Sequence, residues 1–123
     1  MPNHKILIVE DEVITSRYLY IMLSRKGFQI LPIARTADEA VEIALSTPPD
    51  LIIMDVRLEG KKDGVDAALE IKSSLNVPII FSTGNTDIGD DERIIKLSNY
   101  SILFKPSTDA ALLNSISDYL KKN

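Results

Sequence analysis

The chain has no cysteine and only one histidine, His4, among 123 residues. The first absence excludes disulfides, thiolate catalysis and cysteine-type zinc sites. The second excludes a multi-histidine metal site, and His4 itself, ahead of the first apolar run, is assigned no role. An excess of positive charge is also missing: 14 Lys and Arg against 18 Asp and Glu leave a net charge of -4. That balance argues against direct binding to nucleic acid or to an anionic membrane, both of which need a basic surface. No apolar run approaches membrane-spanning length, and residues 1–9 lack the long apolar core of a secretory signal. The expected compartment is therefore the cytoplasm. Repeats, low-complexity stretches and interdomain linkers are absent too, so residues 1–123 are expected to form one domain, long enough for a real core.

What is present is a set of short apolar runs separated by amphipathic stretches. Leu51-Ile52-Ile53-Met54, preceded by Pro48-Pro49 and followed by Asp55, is too short for a helix and reads as a strand covered on both faces. Residues 5–9, 28–34, 78–81 and 101–104 supply four more strands, and Pro32 places the second at a sheet edge, where a missing N–H costs least. Helices are expected over 13–26, with Ile14, Leu19, Met22 and Leu23 inward and Gly27 as the stop, and over 36–47, opened by a capping box at Thr36 and Glu39. Residues 65–75, 87–97 and a last segment capped by Ser107 complete five helices. Five strands alternating with five helices imply an α/β fold with a parallel sheet and helices on both faces. Right-handed crossovers then bring every strand end to one edge.

That edge collects Glu10-Asp11, Asp55, Thr83 and Lys105. Each has an ordinary reading: acids favour a helix start, Asp55 or Thr83-Gly84 can begin a turn, and an exposed lysine is the usual case. Their coincidence on one edge outweighs those readings. If strands one and three are neighbours, about 4.8 Å apart, three carboxylates crowd into one volume and call for a cation. All available ligands are oxygens and few come from protein, which suits Mg2+ with retained waters. A cation, a lysine, a hydroxyl and a spare carboxylate together form a site for phosphoryl transfer, with Asp55 as nucleophile and Glu10 and Asp11 holding the metal.

With I-L-I-V-E-D-E, L-I-I-M-D, the D-G before the third helix, P-I-I-F-S-T-G and F-K-P in this order, the whole chain resembles the CheY-like receiver domain of response regulators in two-component signalling. The resemblance implies a doubly wound sheet of order 2-1-3-4-5. It implies a signalling domain, not a conventional enzyme, with Asp55 taking a phosphoryl group from a sensor histidine kinase or a histidine phosphotransfer protein. Mg2+ would be held by Glu10 through water, by Asp11 and Asp55 directly, and by the backbone carbonyl of Arg57. Lys105 and Thr83 would contact the phosphoryl oxygens, Pro106 would follow a cis peptide, and output would pass to a downstream protein target, with homodimerisation possible.

The chain departs from the family at Ile102, where many receivers carry an aromatic ring that swings inward. Tyr100 lies two residues earlier on the same face. Output is therefore expected through the loop at Thr83 and the fourth helix. The loop from Arg57 to Asp63 is longer than usual and contains Glu59-Gly60-Lys61-Lys62, while Arg57 and Asn85 occupy positions that tune phosphate lifetime. Asp63-Gly64 is read as cap chemistry, Asp87, Asp90, Asp91 and Glu92 as a solvated helix start, and Tyr18 and Tyr20 as helix packing and surface. Three rival functions fit less well. A flavodoxin-like cofactor binder needs a phosphate cradle where this chain has three acids. A haloacid-dehalogenase-type phosphatase needs a second acid where Arg57 stands. A phosphorylation-independent pseudo-receiver would not need the retained acids, Thr83 and Lys105. A stand-alone receiver and a module of a longer hybrid kinase or regulator both fit the sequence.

Overall fold

A computed structural model describes residues 3–121; the two residues at each end of the predicted 1–123 domain lie outside it. Its centre is the predicted apolar strand, β3, at Leu51–Met54, flanked by β1 at Lys5–Val9 and β4 at Ile79–Thr83. With β2 at Gln29–Ile30 and β5 at Tyr100–Phe104 they form one parallel sheet in the order β2-β1-β3-β4-β5. Four α-helices cover it: α1 at Val13–Arg25, α2 at Ala37–Ser46, α3 at Gly64–Lys72 and α4 at Asp109–Leu120.

The inner strands are apolar on both sides because they serve two cores. Leu7, Val9, Ile52, Met54, Ile79 and Phe81 join the cluster under α2 and α3, while Ile6, Ile8, Leu51, Ile53 and Ile80 join the cluster under α1 and α4. Fully burying a side chain of this size is worth about 1.5–3 kcal/mol, so slipping one strand by a residue exchanges both faces at once. The register is thereby fixed, with Val9 opposite Met54 and Thr83 opposite Phe104. Pairing continues one step further: Asp55 N–H donates to the Val9 carbonyl at 2.9 Å and Lys105 N–H to the Thr83 carbonyl at 2.8 Å. Glu10, Asp55, Thr83 and Lys105 therefore leave the sheet side by side.

Several expectations need correction. The second strand, predicted over 28–34, pairs only at Gln29–Ile30 and again by a single bridge from Ala34 to Val9, with Pro32 between them. Its edge position is as expected. The predicted fourth helix is two 3₁₀ segments, Ile88–Asp90 and Glu92–Lys96, because Gly89 and the acidic run offer too few apolar contacts for α-helix. Thr108 caps α4, accepting from Ala111 N–H, so the cap is one residue past Ser107. At α2 only half the capping box exists: Thr36 accepts from Glu39 N–H, but the Glu39 carboxylate turns back to Arg35 N–H. The complete box is at α3, between Asp63 and Asp66. Ile14, expected inward, is 85% exposed, while Leu23 is fully buried. Among the described residues no helix is long and apolar enough to cross a membrane.

Candidate functional site

The strand ends build an acidic pocket. Asp55 and Glu10 are buried, at 9% and 4% exposure, and Asp11 beside them is half-buried. One carboxylate oxygen from each of the three lies within 4.8 Å of the others. Such a set of hard oxygen donors fits Mg2+, whose small shell is shared with water.

Lys105 reaches into the same pocket from the end of β5. Its Nζ stands 2.9 Å from Glu10 Oε1 and 3.3 Å from Asp55 Oδ2, so the lysine is a counter-ion to both acids. Burial pushes the Glu10 carboxyl above its usual range, and the charge of Asp55 adds to this. The hydrogen bonds from Lys105 and from the Glu12 N–H offset it only in part. Burial works in the opposite sense on Lys105, but its hydrogen bond to Glu10 and the charges of Asp55 and Glu10 outweigh it, and its pKa is raised. The pocket thus holds a fixed ammonium against excess negative charge.

A cleft of about 650 Å³ opens beside these groups, with Asp55, Arg57, Asp63, Thr83, Asn85 and Lys105 among its lining residues. Thr83 is buried, and its Oγ1 accepts from the Asn85 N–H at 3.0 Å. The hydroxyl proton can still be given to an incoming oxyanion. Asn85 turns its own Oδ1 back to Asp87 N–H at 2.9 Å, an Asx turn that shapes the cleft wall. The Lys105-Pro106 peptide is cis. Ile102 is half-buried against the α2/α3 core, and on the same face Tyr100 meets Phe81 edge-to-face with centroids 6.0 Å apart.

Three contacts were missed in the sequence. Gly64 at the start of α3 lies against the Asp55 backbone. Arg93, in the second 3₁₀ segment, holds Asp63, Asp66 and Asp91 at once, with Nη1 2.8 Å from Asp63 Oδ1 and 2.9 Å from Asp66 Oδ1. Asp91 does open a helical segment, as N-cap of the second 3₁₀ stretch accepting from Arg93 N–H, but it is also an ion-pair partner of Arg93 and so less solvated than expected. Arg35 contacts the Asp11 carbonyl and Glu59. Glu59 signalled nothing alone, although its pairing with Thr36 closes the long loop onto α2. Tyr18, expected as packing and surface, donates to Asp109 across the α1/α4 side.

A parallel α/β sheet with three convergent acids, a lysine and a threonine at its carboxyl edge defines a doubly wound protein with an acidic pocket where such folds place their chemistry. The family model for the response regulator receiver domain matches residues 6–117, and the chain belongs to that family, the CheY-like receivers of two-component signalling. It is 37% identical over 112 residues to the transcriptional regulatory protein PdtaR of Mycobacterium tuberculosis, covering 91% of this chain and 54% of that protein. The chain thus spans about half the length of that curated relative. Among solved structures, the N-terminal domain of a response regulator/sensory box/GGDEF three-domain protein from Carboxydothermus hydrogenoformans is 33% identical, covering 95% of this chain and 94% of that one, with a TM-score of 0.86. The receiver domain of the sensor histidine kinase PA1611 from Pseudomonas aeruginosa is 30% identical over 97% and 98% of the two chains, with a TM-score of 0.84; its active-site cleft contains a coordinated magnesium ion.

Proposed function

We propose that Asp55 is the phosphoacceptor of this receiver. A carboxylate oxygen of Asp55 attacks the phosphorus of a phosphohistidine on a kinase or histidine phosphotransfer partner. The P–N bond breaks, an acyl phosphate forms, and the partner imidazole recovers a proton from solvent. Glu10, Asp11, Asp55 and the backbone carbonyl of Arg57 are the residues that would hold Mg2+, which when bound supplies positive charge to the phosphoryl oxygens. Lys105 exchanges its carboxylate partners for those oxygens, and the Thr83 hydroxyl donates to them. Arg57, Asn85 and Ile102 tune lifetime and output, which runs through residues 83–97 and the β5 surface to a downstream protein in the cytoplasm, without direct contact to nucleic acid or membrane. A homodimer is compatible with this output.

The observation that carries the reading is the convergence of three carboxylates within 4.8 Å with Lys105 bonded to two of them. Incubation with acetyl phosphate and Mg2+ should give a labile phosphoryl adduct at Asp55, absent without Mg2+ and absent in Asp55→Asn. An adduct in Asp55→Asn of equal yield would refute it. A second reading, that the chain is a module of a longer kinase or regulator, is favoured by the match covering only 54% of its curated relative.

A further inference from the structure

The two loops that carry the proposed Mg2+ ligands are fastened to each other by a residue in neither. Arg35 follows the Ala34 bridge to β1, and its own N–H is fixed by the Glu39 carboxylate at 2.9 Å. From there its Nη2 donates to the backbone carbonyl of Asp11 at 3.2 Å and to Glu59 Oε1 at 3.2 Å. Glu59 lies two residues beyond Arg57, and its backbone is bridged to Thr36, next to Arg35. One guanidinium thus joins the chain after β1, at Asp11, to the chain after β3, just past Arg57.

We propose that Arg35 is a positioning residue for the cation pocket, holding the Asp11 backbone and the Arg57–Glu59 turn at the separation that Mg2+ coordination needs. The inference rests on the Mg2+ reading given above. Arg35 bonds to none of the three carboxylates in the pocket; it acts through a main-chain carbonyl and a second loop. Arginine suits the task because its planar fork serves two acceptors in fixed directions, whereas lysine offers a point charge on a flexible stem. The pair with Glu59 is half exposed on both sides and contributes little to folding stability, so its loss should leave the fold intact.

The sign of the effect separates positioning from charge. A cation near a dication site repels the metal, so deleting it for purely electrostatic reasons should tighten Mg2+ binding. Deleting a positioning group should weaken it. Mg2+ affinity is measured directly on the whole chain by calorimetry or by amide shifts during MgCl2 titration, without any phosphoryl donor. Arg35→Met is expected to weaken binding by about 3- to 10-fold, less than the roughly 10- to 100-fold that partners bonded directly to a ligand side chain contribute, because Arg35 holds only main chain and a neighbouring loop. Arg35→Lys, which keeps the charge, should also fall short of wild type. Lys61→Met, removing a cation from the loop that carries Glu59, should bind as wild type or tighter. Glu59→Gln combined with Arg35→Met should be no weaker than Arg35→Met alone, since both break one bridge. Equal or tighter binding by Arg35→Met, wild-type affinity in Arg35→Lys, or additive losses in the double variant would each overturn the assignment. Absence of Mg2+ binding by wild type would overturn the Mg2+ reading with it, while normal wild-type binding with an unaffected Arg35→Met sinks this inference alone.

Discussion

A Cβ on Gly64 would lie 2.1 Å from the carbonyl oxygen of Asp55. No real Cβ approaches an oxygen that closely, so glycine is needed here for space, since the start of α3 rests against the backbone of the candidate phosphoacceptor. The Gly64 N–H also donates to the Val56 carbonyl at 2.7 Å, which fixes the approach. Gly64→Ala should therefore lower unfolding free energy by about 1–3 kcal/mol, as overpacking does, and reduce the yield of Asp55 phosphorylation. An unchanged urea midpoint would show that the contact yields easily.

Arg93 ties the 3₁₀ segment after β4 to the first turn of α3 through Asp63, Asp66 and Asp91. Arg93→Met leaves three acids facing one another. A loss of roughly 1–2 kcal/mol at neutral pH is expected, the scale of partly exposed charged hydrogen bonds. Chemical denaturation checks it; a stability equal to wild type would mean that the cluster is offset elsewhere.

The same cluster sets an acid limit. Burial pushes Asp63 upward, but hydrogen bonds from Arg93 and the backbone outweigh it, and its pKa is lowered; Asp91 is lowered by its hydrogen bonds from Arg93. Their stabilisation is fully present above the ordinary carboxylate value near 3.8 and is lost as pH falls through their lower folded values. The gap in stability between wild type and Arg93→Met should close on acidification below about pH 4. A gap that stayed constant down to pH 2 would separate the cluster from acid unfolding.

Glu10 behaves in the opposite way. Its folded pKa is raised, so the stability linked to its proton is present below the ordinary value of 4.5 and lost as pH rises through the folded value. Glu10→Gln should make the metal-free protein more stable at pH 7, by about 0.5–2 kcal/mol, while weakening Mg2+ binding. Thermal melts with and without Mg2+ test both halves; a destabilised metal-free variant would contradict the first.

Arg57 lines the cleft beside Asp55. A long cation there should shield an acyl phosphate from water, so Arg57→Asn should lose the phosphoryl group several-fold faster than wild type. Decay of a purified phosphoprotein measures it, and equal rates would remove Arg57 from lifetime control.

The sheet and its edge were legible because they depend on short-range signals: four-residue apolar runs for strands buried on both faces, and one polar residue at each run's end. Glu10, Asp55, Thr83 and Lys105 follow from that pattern once crossovers are right-handed. Strand order needed the family resemblance, since no local signal records which strands are neighbours. The short β2 and the 3₁₀ segments were misread because tertiary contacts decide marginal elements: Pro32 interrupts a ladder that Ala34 resumes, and Ile95, at 82% exposure, gives residues 87–97 no continuous apolar stripe. Arg35, Arg93 and Gly64 were invisible for a different reason. Their deciding contacts run to partners 24 or more residues away or to a main-chain atom, and such contacts leave no periodic trace.

The two-sided core has a mechanical consequence. From Leu51 to Met54 every side chain of the central strand is gripped from above or below. The strand is an anvil: it cannot tilt or slide when the charge at its tip changes. A change of charge there is felt by the side chains that ring the tip, Glu10 and Lys105 first among them, and not by the strand itself.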